Sequence, residues 1–106
     1  MIVNEKVIQE IVKKILSIAH PERVILFGSA AKGAMSSDSD MDLLIIKKGL
    51  KDPRGEMVRI RKALSEFSIP VDIIVMSVER FEETKNVIGG IAYPAHKYGK
   101  VIYEAA

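Results

Sequence analysis

Cysteine is absent from this 106-residue chain. That excludes disulfide frameworks and thiol chemistry and agrees with a reducing cytosol. No apolar run approaches the roughly 20 residues of a membrane helix, and the first residues lack a basic stretch followed by a hydrophobic one. Neither a membrane span nor a secretory leader is expected. Internal repeats, low-complexity tracts and interdomain linkers are missing too, so the expectation is a single cytoplasmic domain, 1–106. Charge of one sign is also scarce, since 16 Lys and Arg against 14 Asp and Glu leave a net +2. Direct nucleic-acid binding is therefore not expected. What the chain does have is apolar material, 48% of its residues, enough for one core.

The most informative stretch runs from Leu26 to Ile46. An apolar run, Val24 to Phe27, stops at Gly28-Ser29, and a second, Leu43 to Ile46, begins directly behind Asp40-Met41-Asp42. Both read as buried strands bounded by polar chemistry. Side chains alternate faces along a strand, so Asp40 and Asp42 point the same way with Cα atoms roughly 6.6 Å apart, while Met41 faces the opposite layer. That is a carboxylate pair at metal-bridging distance. Gly28 lets a backbone approach a ligand without a Cβ in the way, and Ser29 can start a short helix that Gly33 ends. Free N–H groups there, with the Ser29 hydroxyl, suit a phosphate. A phosphate cradle facing two strand-borne carboxylates describes a site for a nucleoside triphosphate with Mg²⁺.

Gly28-Ser29, ten further residues and then Asp40-Met41-Asp42, flanked on both sides by apolar residues, resembles the signature of the DNA polymerase β-type nucleotidyltransferase superfamily. The chain's size is similar to its small stand-alone branch, the minimal nucleotidyltransferases (MNT proteins). The resemblance implies a third carboxylate on a later strand, and Asp72 in Ile69-Pro70-Val71-Asp72-Ile73-Ile74 occupies the matching place. It implies that Asp40, Asp42 and Asp72 are the catalytic and metal-binding residues for two Mg²⁺ ions, and that Gly28 and Ser29 bind the nucleotide. Many relatives carry Arg directly after the Gly-Ser pair, where this chain has Ala30, and Lys32 is the candidate to supply that positive charge as a point charge rather than a fork. The implied reaction moves a nucleoside monophosphate, AMP above all, from ATP or another NTP to an acceptor. The implied partner is a small helical HEPN-type toxin, with this chain as its antitoxin. The alternative is a catalytically weak module that binds nucleotide or neutralises the toxin by contact.

Around this centre, Val7, Ile8, Ile11, Val12, Ile15, Leu16 and Ala19 recur at helical spacing behind Asn4 as N-cap, and the helix is expected to end near His20 because Pro21 disfavours helical geometry in the residue before it. Asp52-Pro53 opens a second helix, reaching to about Phe67, whose Arg54, Arg59, Arg61 and Lys62 read as a solvated face ahead of a docking patch. A third strand runs from Val71 to Met76, and Ser77 caps the next helix. Gly89, Gly90 and Pro94 leave only a short, bent helix within 86–97, with Tyr93, His96 and Tyr98 at its edge. Val101 to Tyr103 adds an edge strand. The expected fold is α/β (α+β): a twisted mixed sheet of three to four strands with helices packed mainly on one side, as in polymerase β-type nucleotidyltransferases.

Overall fold

Helix α1, Glu5–Ile18, buries Ile8, Ile11 and Ile15 at three- and four-residue spacing along a single stripe. It stops two residues before His20, which is exposed, and the chain turns at buried Pro21. The computed structural model describes residues 5–28 and 41–106. The Asn4 cap and the segment holding Ser29, Lys32 and Asp40 lie outside the described residues.

Four strands form one sheet in the order β3-β2-β1-β4. Strand β1 is Arg23–Phe27, β2 is Met41–Lys47, β3 is Val71–Ser77 and β4 is Lys100–Glu104. Strands β1 and β2 are antiparallel, with Phe27 opposite Asp42, whereas β2 and β3 are parallel. A parallel pair requires a crossover, and helix α2, Pro53–Ala63, supplies it. The Asp52 carboxylate caps this helix by accepting a hydrogen bond from the Gly55 N–H at 3.1 Å. The helix does not reach Phe67 as an α-helix. A 3₁₀ turn, Leu64–Glu66, takes over, and Phe67 is already extended on the approach to Pro70.

The sheet's two faces bury different side chains. Val24, Leu26, Met41, Leu43, Ile45, Ile73 and Val75 pack with α1 and α2 in one core. Ile25, Leu44 and Ile46 pack with Phe81, Ala92 and Ala95 in the other. The two long helices share one face, as expected, and the second face carries two short ones, α3 (Val78–Thr84) and α4 (Ala92–Tyr98). Ser77 caps α3, accepting from the Arg80 N–H. Pro94 falls in the first turn of α4, where a missing N–H costs nothing because that donor has no partner within the helix. Among the described residues no helix is long and apolar enough to cross a membrane.

Candidate active site

Three elements end at one edge of the sheet: β1 leaves it at Gly28, while β2 and β3 enter it at Asp42 and Asp72. Because β2 and β3 are parallel and in register, Asp42 pairs with Asp72. Register partners on neighbouring strands lie about 4.8 Å apart and send their side chains to the same face. Met41 is fully buried in the core beneath α1 and α2, so by alternation Asp42 lies on the opposite face, the one shared with Leu44 and Ile46. Asp72 lies there too, since its neighbour Ile73 belongs to the α1 and α2 core. Asp42 is half-buried and Asp72 exposed. One acid is thus held in the wall of the site and the other stands at its open side.

Gly28 adopts φ +75°, a left-handed conformation, and a Cβ built on it would stand 2.4 Å from Asp42 Oδ2. No side chain fits there. The space that the sequence assigns to an approaching ligand is, within the protein, taken by the Asp42 carboxylate. Phe27, half-buried and packed against the second core, lies opposite Asp42 in the ladder. As the strand residue that lines the carboxylate, Phe27 is an addition to the sequence reading, and the only signal for it was its position directly before Gly28.

Two carboxylates side by side repel each other unless a cation or a proton sits between them. Oxygen donors at this spacing suit a hard divalent ion. Among the described residues no group of three His, Cys, Asp or Glu side chains converges. Of the expected site residues the structure brings together Gly28, Asp42 and Asp72, and the other three, Ser29, Lys32 and Asp40, lie outside the described residues. Among the described residues, neither His20 nor His96 joins Asp42 and Asp72 in a group of metal-binding side chains. His96 instead packs edge-on against Phe81, ring centroids 6.0 Å apart.

Residues 5–94 match the model of the nucleotidyltransferase domain. The chain belongs to this family. A Methanocaldococcus jannaschii chain whose provisional name is protein adenylyltransferase is 36% identical over 75 residues, covering 69% of this chain and 75% of its own. This nucleotidyltransferase also shares its fold with solved structures. One comes from a toxin–antitoxin complex with AMP-PNP, at TM-score 0.70 and 19% identity over 92% of this chain and 73% of the other. A second is a Sulfolobus solfataricus chain bearing the provisional name of nucleotidyltransferase, at TM-score 0.62 and 24% identity over 93% and 78%. A third belongs to the toxin–antitoxin pair MntA–HpeT, at TM-score 0.64 and 16% identity over 97% and 75%. In this nucleotidyltransferase, Asp42 and Asp72 are the acids that the fold brings together at the mouth of the sheet.

Proposed function

We propose that this nucleotidyltransferase, acting as a single minimal domain, moves AMP from Mg·ATP to a hydroxyl on a partner protein, and that the partner is a small helical HEPN-type toxin for which this chain is the antitoxin. The observation that carries the reading is the in-register pairing of Asp42 with Asp72 beside the bare Cα of Gly28. The relative's name supports a protein acceptor, and the toxin–antitoxin neighbours support the pairing. With Asp40, the pair would hold two Mg²⁺ ions, which supply charge neutralisation at the triphosphate and the acceptor oxygen. Asp42, fixed by β2 and seated against Gly28, is the anchoring acid. Asp72, on the sheet's edge strand, faces the open side from which an acceptor hydroxyl arrives and is the acid suited to hold that hydroxyl's proton. Ser29 and Lys32 would receive the phosphates.

The test is incubation with ATP labelled in the α-phosphate, Mg²⁺ and the protein encoded beside this one. Label transferred to that protein, with pyrophosphate released, is the expected result. Tight Mg·ATP binding without transfer would replace the enzyme by a nucleotide-binding module.

A further inference from the structure

Positive charge is concentrated in one sixteen-residue segment, residues 47–62. It holds seven of the 16 cations and two of the 14 acids, a surplus of five in a chain whose net charge is +2. One of those acids, Asp52, is committed to the cap of α2. The other, Glu56, is turned inward with a side chain only 10% exposed, and it is shared by Lys47 and Arg59. Among the described residues, the side chains of Lys51, Arg54, Arg61 and Lys62 find no carboxylate. Exposed helices usually interleave acids with their bases at four-residue spacing, which offsets repulsion. This one does not.

At the middle of the cationic face stands Val58, 55% exposed. Arg54 lies one turn before it, and Arg61 and Lys62 one turn after, all on the outward side of α2. A recess of about 140 Å³, lined by Arg61, Leu64, Ser65, Phe67, Ile69 and Val71, opens beside Arg61. An apolar centre with an adjoining recess and a polar rim is the anatomy of a protein interface. A phosphate backbone has no apolar group to offer Val58 or the recess.

We propose that the outward face of α2, centred on Val58 and rimmed by Lys51, Arg54, Arg61 and Lys62, is a docking surface for an acidic protein partner. Its charge would steer association and its centre would fix the register. The surface lies on the sheet face opposite Asp42 and Asp72, so its test does not depend on nucleotidyl transfer.

The probe is an amphipathic helical peptide of about 20 residues with glutamates flanking a leucine stripe, titrated into the ¹⁵N-labelled chain at low salt. Amide shifts confined to residues 49–71, which include the recess, are expected. Arg61→Glu with Lys62→Glu should weaken binding at least about tenfold and Val58→Ser about threefold, while Arg80→Glu with Lys85→Glu, on the other sheet face, should change it less than about twofold. All five positions are solvent-facing or at the surface, and unchanged melting temperatures would check that each variant folds. Arg54→Glu gives the same readout from a different turn of α2. Shifts centred outside residues 49–71, no measurable binding, or insensitivity to Val58→Ser combined with tighter binding of a single-stranded RNA of about 20 nucleotides would overturn the proposal. The last outcome would make the patch a site for nucleic-acid phosphates.

Discussion

Gly28 and Asp42 occupy adjoining space so closely that neither is free to change. Placing alanine at position 28 sets a Cβ against the Asp42 carboxylate and forces an L-residue into a left-handed conformation. Gly28→Ala should therefore lower stability by about 1–3 kcal/mol and lower transfer more than stability alone explains. Urea unfolding with a parallel transfer assay measures both, and an unchanged unfolding midpoint would remove the close contact. The two acids have separable roles under the proposed function. Asp42→Asn should lose Mg·ATP binding and transfer together, because Asp42 is the acid seated in the wall. Asp72→Asn should abolish transfer while keeping most of the nucleotide affinity. Calorimetric titration of each variant against transfer rate separates the outcomes, and equal loss of binding in both would merge the roles.

Helix α2 is where an element's own electrostatics become measurable. Burial works against the charged form of Glu56, yet hydrogen bonds from Lys47 and Arg59, and their charges, outweigh it and hold its carboxyl below the ordinary glutamate range. A carboxyl depressed in the folded state contributes stability that is present above its unfolded pKa and is lost as pH falls through the folded value. Stability should therefore decline below the ordinary glutamate pKa of 4.5, and Glu56→Gln should flatten that decline while lowering stability at neutral pH. Denaturant midpoints recorded across the acid range decide it; a parallel offset at every pH would mean that Glu56 acts by packing alone. At the other end of the same argument, Asp52→Ala removes the cap on the Gly55 N–H and should cost about 1 kcal/mol.

At the scale of the molecule, the proposed function predicts that stability and nucleotide binding are coupled to a divalent ion held by the paired acids. ATP should bind weakly in chelator and much more tightly with Mg²⁺, because the carboxylates alone repel a triphosphate. Equal affinity in both conditions, read by calorimetry, would sink the metal-site reading. Relief of repulsion also predicts that Asp72→Asn raises the metal-free stability, by about 1 kcal/mol, with the gain shrinking when Mg²⁺ is added. A variant less stable than the parent in chelator would mean that Asp72 is held by structural hydrogen bonds.

The linear pattern of residues determined most elements of this protein. The apolar periods of α1 and α2, the caps at Asp52 and Ser77 and the four strands were legible, because capping, alternation and amphipathic spacing act over a few neighbouring residues, whereas Asp72 was singled out only by the family resemblance. What only tertiary structure decided was which strands meet. Nothing local to Val71–Ser77 says that it pairs in parallel with β2 and sets Asp72 beside Asp42, since that register depends on the crossover through α2. The early end of α2 was not read from the spacing of Met57, Ile60, Leu64 and Phe67, because a 3₁₀ turn at Leu64–Glu66 can keep Leu64 buried while the chain straightens towards Pro70. The short helices on the second sheet face follow from Ile25, Leu44 and Ile46, which point away from α1 and α2. A strand flanked by apolar residues on both sides needs two layers to cover it, and only the folded sheet fixes which segment provides the second.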